Sequence, residues 1–313
     1  ELDRRTPGYR FGPAGALPSD VVSADDSCWI ASANAGSCNI SVVDTRSVAA
    51  AMFDVQGAEA GLSGAASTIA PQRFDLDAGG WRPLAARVGA ILSVPSGLSL
   101  STDVPGTTVT DLALCPAGVG KSVYVTFPTC DLVAEVDLNS QHILQSVQFV
   151  EDDDGEWSVL DAGTSPVCEV DCAAQLDLEG GLPDAGAGVA TLAPTALEFI
   201  QRPVQQSSDA PLDAADFAVE GQALLVGGQG SDTMFEILID DDGGWLPDAN
   251  QLELFEAGGV NSIHLAPPVD LDVEGRVCVG TEGQAIDPHQ FIYVVVGDGS
   301  TRVVDRSLPA DRS

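Results

Sequence analysis

Cations are scarce in this chain. Lys121 is the only lysine, and twelve arginines are set against 47 aspartates and glutamates, for a net charge of −34. Such a surface repels phosphate backbones and anionic headgroups, which argues against nucleic acid as a partner and against an electrostatic membrane role. No run of about 18 apolar residues occurs, so direct membrane insertion through a helix is excluded as well. Histidine is limited to His142, His264 and His289, and aromatics to 5%. There is no nucleophile elbow, phosphate-binding glycine loop, HExxH or haem CxxCH. Gly118-Val119-Gly120-Lys121-Ser122 is similar to the end of a phosphate-binding loop. Position 115, however, is Cys where that loop needs Gly, and the segment feeds a strand and not a helix. Helical periodicity is missing throughout.

Hydrophobic residues make up 44%, enough for a full core, and 33 glycines and 19 prolines accompany them. That mixture suits many short strands joined by tight turns. Four segments share one layout, an apolar strand, a small-residue turn and a second apolar strand closing on Asp. They are Trp29 to Asp44, Val123 to Asp137, Ala223 to Asp240 and Phe291 to Asp305. Period-2 alternation with β-branched residues across a short turn is a hairpin signal. The closing Asp is read as a turn residue that bonds nearby backbone N–H groups.

Three of the four tryptophans stand in Asp-x-Gly-x-Trp, at Asp77 to Trp81, Asp153 to Trp157 and Asp241 to Trp245. Asp and Gly supply the turn, and Trp starts the next strand and packs inward. Together these echoes predict an all-β chain, a β-propeller of four-stranded antiparallel blades that need neighbours to bury their apolar faces. Residues 1–313 are then a single propeller domain, seven-bladed or an incomplete part of one, or a fragment of a longer chain. The Asp markers at 44, 137, 240 and 305 lie farther apart than the roughly 40–50 residues of one blade, so less marked blades are expected within 46–121. Residues 151–191 read as an acidic, cysteine-containing surface insertion and 203–216 as a loop insertion.

Tyr124-Val125-Thr126 and Tyr293-Val294-Val295, each followed by a turn and a Val-x-Asp strand, resemble the YVTN family of bacterial β-propellers. Ser41-Val42-Val43-Asp44-Thr45 is similar to the segment that closes its hairpins, and Leu17 to Val22 resembles the strand that opens a blade. The resemblance implies a propeller fold and no shared catalytic residues.

Seven cysteines point to an oxidising compartment, extracytoplasmic, at a bacterial cell surface, in the periplasm or secreted. The sequence-local couples Cys28–Cys38, Cys115–Cys130 and Cys168–Cys172 are the expected bridges, although six cysteines allow fifteen pairings, and Cys278 is left over. Cys168 to Cys172 lacks zinc-ligand spacing. The chain opens at Glu1 with no signal peptide, as a processed chain or a fragment would.

Asp152, Asp153 and Asp154, and Asp240, Asp241 and Asp242, offer oxygen ligands for Ca²⁺, yet neither run has the spacing of an EF-hand, and solvated turn residues are the competing reading. No other cofactor is expected. His264 reads as a core or tunnel-facing residue. The expected function is a binding or scaffold module whose loops meet a protein or polysaccharide ligand, and not an enzyme. The alternatives are a structural subunit of a larger extracellular assembly and a Ca²⁺-dependent hydrolase or lactonase.

Overall fold

The structure is a computed structural model that describes residues 17–24, 28–45, 66–95, 98, 122–168, 192–201, 222–240, 242–254, 256–266, 269–271, 287–289 and 291–305. The first blade is the meander β1 (Pro18–Ser23), β2 (Trp29–Asn34), β3 (Asn39–Asp44) and β4 (Ala66–Ile69). A separate hairpin follows, β5 (Gln72–Asp75) and β6 (Gly80–Pro83). The second blade has five strands, β7 (Ile91–Ser93), β8 (Ser122–Phe127), β9 (Leu132–Asp137), β10 (Ile143–Glu151) and β11 (Trp157–Asp161). The third is β12 (Pro194–Gln201), β13 (Gln222–Gly228), β14 (Thr233–Ile239) and β15 (Trp245–Glu253). The fourth contains β16 (Val260–Leu265), β19 (Phe291–Val296) and β20 (Thr301–Asp305), with the pair β17 (Val269–Leu271) and β18 (Asp287–His289) between β16 and β19 in the chain. All these pairings are antiparallel.

All four expected hairpins are present, as β2–β3, β8–β9, β13–β14 and β19–β20; the first three lie inside their blades, and β20 is the edge of the fourth among the described residues. The residues after β3 supply β4, which completes the first blade; the described part of 46–90 otherwise forms the β5–β6 hairpin. The reading of 151–191 as an insertion is corrected at its start. The acidic run is only a turn, and Trp157–Asp161 is a strand, because Trp157 and Val159 alternate into an inter-blade core. Residues 169–191 and 203–216, and any blades beyond these four, lie outside the described residues.

Alternation explains the stacking. Side chains of successive strand residues point to opposite faces. In β8, Val123, Val125 and Phe127 pack against Ala31, Ala33 and Ile40 of the first blade, while Tyr124 turns to the third blade and packs near Leu224 and Phe235. In β13, Leu224 and Val226 face the second blade, and Ala223 and Leu225 face Ile263, Ile292 and Val294 of the fourth. The middle strands of the second and third blades are therefore buried on both faces. The outward faces of the first and fourth blades are more open, with Ile30 39% exposed, Tyr293 41% and Val303 56%.

The disulfide pattern differs from the sequence-local couples. Cys130 bonds to Cys168, with Cα atoms 5.5 Å apart, in place of Cys115–Cys130 and Cys168–Cys172. The meander β9–β10–β11 carries the chain out and back, so that Cys168 returns beside the turn holding Cys130. Closing a loop of this length restricts the unfolded chain by about 4 kcal/mol on a chain-entropy basis. The Cys28–Cys38 pairing is excluded by register. Trp29 lies opposite Asp44 and Asn34 opposite Asn39, so Cys28 and Cys38 stand at opposite ends of the hairpin. A six-residue strand separates them by roughly 20 Å, far beyond disulfide reach. Both are nevertheless disulfide-bonded. Cys115, Cys172 and Cys278 lie outside the described residues.

Burial on both faces sets a graded sensitivity to truncation. Leu225→Ala, at a position 1% exposed between the third and fourth blades, is expected to cost about 2–4 kcal/mol in chemical denaturation. Val303→Ala on the open face should cost no more than about 0.5 kcal/mol. Equal losses would contradict the stacking order.

Candidate functional site

The innermost strands of the four blades, β1, β7, β12 and β16, converge on one cavity of about 930 Å³. Its volume falls within the range of about 300–1,000 Å³ usual for small-ligand sites. The wall is largely apolar, with Val88, Ile91, Leu92, Leu197 and Ile263 among its residues. The charged and titratable groups are Asp20, Arg87, Glu198 and His264.

Each acid is held by backbone N–H groups. Asp20 Oδ1 accepts from Val21 N at 2.8 Å, and its Oδ2 accepts from Ile91 N of the next blade at 3.0 Å. Beside it, Ser19 Oγ donates to the Gly89 carbonyl at 2.6 Å. Glu198 on β12 is half-buried, and burial holds its carboxyl above the usual carboxylate range. The N–H groups of Leu265 and Phe199 and the nearby His264 pull it back in part. Glu198 shares its face of β12 with Ala196 and Ile200, which pack toward the fourth blade, and this places the carboxyl between β12 and β16.

The same device recurs outside the cavity. Asp131 directly precedes β9 and accepts from Ala193 N of the third blade at 2.7 Å; Asp232 directly precedes β14 and accepts from Gly259 N of the fourth at 3.0 Å. In both cases the acceptor sits at a hairpin tip, and the donor just precedes the inner strand of the neighbouring blade. These latches set the height at which each inner strand enters the cavity wall. A further link is buried. Glu135 accepts from Ser122 Oγ and Gln145 Nε2, both at 2.7 Å. Gln145 in turn donates to the Gly243 carbonyl at 2.7 Å and accepts from Trp245 N at 2.9 Å, joining the second and third blades.

The acidic runs lie elsewhere, at the tips of the β10–β11 and β14–β15 hairpins. Asp152 Oδ1 accepts from the N–H groups of Asp154 and Glu156, both at 2.9 Å. Asp240 Oδ1 accepts from Asp242 at 3.0 Å and Gly244 at 2.7 Å. These are the bonds of capped turns, with Gly155 and Gly243 at positive φ. Asp153 and Asp154 sit exposed in the first turn and Asp242 in the second; Asp241 lies outside the described residues. Among the described residues no group of three or more His, Cys, Asp or Glu side chains has a metal-binding arrangement. The strand-closing role read for Asp137 is present in the same form, its Oδ1 accepting from Asn139 N at 2.8 Å and Ser140 N at 2.6 Å.

His264 lines the cavity, whereas His142 does not. His142 stacks on Trp81 of the β5–β6 hairpin, with ring centroids 3.7 Å apart and planes 5° from parallel. His289 falls in β18, whose side chains lie outside the described residues. Sequence reasoning missed Asp20, Arg87 and Glu198. The available signal was weak: an acid in the strand that opens a blade, and one of very few cations.

No known family profile and no curated protein matches the chain, so the YVTN resemblance stands on its hairpin residues alone. Among solved structures the chain is similar to the Dos1 propeller at 9% identity and TM-score 0.37, covering 95% of this chain and 50% of that one. It is also similar to hydrazine synthase from Kuenenia stuttgartiensis at 13% identity and TM-score 0.28, covering 97% and 69%. A putative 6-phosphogluconolactonase from Bacteroides fragilis matches at 12% identity and TM-score 0.27, covering 92% and 70%. The chain spans half the length of the Dos1 propeller. The propeller assignment rests on the blade topology itself.

The latch at Asp131 has a pH signature. Burial pushes its carboxyl up to about 6 from the ordinary 3.8, against the opposing hydrogen bonds from Ala193 and Leu192. Because folding raises this pKa, the contribution to stability is fully present below pH 3.8 and is lost as the pH rises through about 6. Asp131→Asn keeps an acceptor without the charge and tolerates the left-handed φ of 46°. With allowance for partial solvent screening, it should be more stable than the parent by about 1 kcal/mol at pH 8. That margin should vanish near pH 4 in urea titrations at the two pH values.

Proposed function

We propose that the chain is an extracytoplasmic binding module, a rigid propeller scaffold that takes its ligand at the central cavity and works at a cell surface, in the periplasm or as a secreted protein. The observation that carries this reading is the convergence of four inner strands on one largely apolar cavity, whose few polar groups are held by bonds between blades. Preorganised polar groups in an apolar hollow are the usual composition of a ligand site. Oxidised Cys28, Cys38, Cys130 and Cys168 support an oxidising compartment. Among the described residues no helix is long and apolar enough to cross a membrane. The ligand is a protein segment, a polysaccharide end or a smaller organic molecule.

A second reading, a hydrolase working in the same hollow, has one observation in its favour. Glu198 carries a raised carboxyl beside His264, the kind of pair that serves acid–base chemistry.

Native mass spectrometry of the protein isolated gently from its own source tests the proposal. Wild type should carry a bound species, and Ser262→Trp, which fills the cavity wall on β16, should lose it while keeping its fold. A species retained equally by both proteins would move the site elsewhere. A wild type that carries nothing, and whose inner-strand amides gain no protection from hydrogen exchange in source extract, would remove the reading.

A further inference from the structure

Four cations fall among the described residues, and three of them are engaged. Arg82 pairs with Asp75 at 3.1 Å, Arg302 pairs with Asp298 at 3.3 Å, and Arg73 Nη1 donates to the Pro166 carbonyl at 3.5 Å. Arg87 alone makes no hydrogen bond or ion pair among the described residues, although acids outnumber bases more than three to one across the chain. It is half-buried, and it lies in the cavity wall.

Its backbone is pinned. Ala86 and Val88 on either side are fully buried in the core between the first and second blades, whereas Arg87 keeps part of its surface open and lines the cavity. Gly89 N donates to the Thr126 carbonyl at 2.9 Å and Ala90 N to Thr126 Oγ1 at 2.7 Å. A Cβ at Gly89 would meet Thr126 Oγ1 and Pro128, so the segment sits tightly on the β8 hairpin. A guanidinium presented from a fixed backbone into a largely apolar hollow is a preorganised fork for an oxyanion.

The acids of the same cavity are already committed. Both oxygens of Asp20 accept backbone N–H groups, and Glu198 takes those of Leu265 and Phe199 and faces His264. The unsatisfied charge in the wall is therefore positive. Asp20 and Glu198 still oppose a multiply charged anion, and the apolar residues favour a hydrocarbon body.

We propose that the cavity binds an amphipathic monocarboxylate, with the carboxylate on Arg87 and the apolar body along the partly exposed Leu92 and Leu197. This rests on the reading of the cavity as the ligand site. His264 stands in the same wall as a second donor.

The test uses two probes with one apolar body and opposite charge, phenylbutyrate and phenylbutylamine, titrated into the full chain and followed by calorimetry and NMR. Phenylbutyrate should saturate and bind about tenfold or more tightly than the amine. Arg87→Gln should weaken it by about tenfold, the loss expected for a desolvated bidentate pair. Arg73→Gln serves as the control and should bind as the parent does, and matching thermal melts establish that each variant folds. If the amine binds as tightly, or Arg87→Gln leaves phenylbutyrate unaffected, the monocarboxylate proposal is overturned while the cavity remains a ligand site. If neither probe perturbs residues of the cavity wall, the monocarboxylate proposal is overturned as well, and the cavity reading stands or falls on the species carried by the native protein.

Discussion

A strand that is apolar on both faces cannot stop at one sheet, and the rest of this molecule depends on that constraint. β8 is buried at every residue from Ser122 to Phe127, and β13 from Ala223 to Gly228. Neither could face water on one side, as strands of a simple antiparallel sheet do. The remedy is to sandwich each blade between two others, and the three inter-blade cores follow directly. Strands tied in this way leave little freedom to the innermost members, so the cavity wall inherits its rigidity from the inter-blade cores that Val88, Ile91 and Ile263 join to it.

Hydrogen bonds set the register that hydrophobic packing alone leaves loose. Apolar faces slide over one another with modest penalties, whereas a carboxylate that must meet a particular N–H does not. Asp20, Asp131 and Asp232 each reach a backbone donor at the start of the next blade, at 2.7 to 3.0 Å. Gln145 does comparable work near the outer rim through its two bonds to the Gly243–Trp245 segment. In a chain so rich in acids, some of the negative charge thus serves assembly of the blades. The exposed acidic turns are a different population, with their first Asp satisfied locally and the rest in solvent.

The same excess of acid gives the cavity its character. A field set by a net charge of −34 disfavours anions at long range. Local geometry acts against that background, since Arg87 has no partner among the described residues and a guanidinium in a largely apolar wall is screened little at short distance. The proposed carboxylate site would therefore select by contact and not by steering.

Period-2 alternation, four hairpins and the Asp-Gly-Trp turns were legible in the chain as written, because each is a local pattern whose physics acts within about fifteen residues. From them the antiparallel blades and the turn-capping aspartates followed. The bridge Cys130–Cys168 did not, since the partner of a cysteine depends on where the meander returns and not on which cysteine is nearest in sequence. The turn at Asp153 to Trp157 announced a strand opening at Trp157, but not the neighbouring blade whose core takes Trp157 and Val159. Asp20, Arg87, Glu198 and His264 come from segments up to 244 residues apart and share no motif. By itself the sequence determined the strands and their turns; the stacking of blades decided which side chains meet at the centre, because convergence is a property of neighbours that only the folded chain supplies.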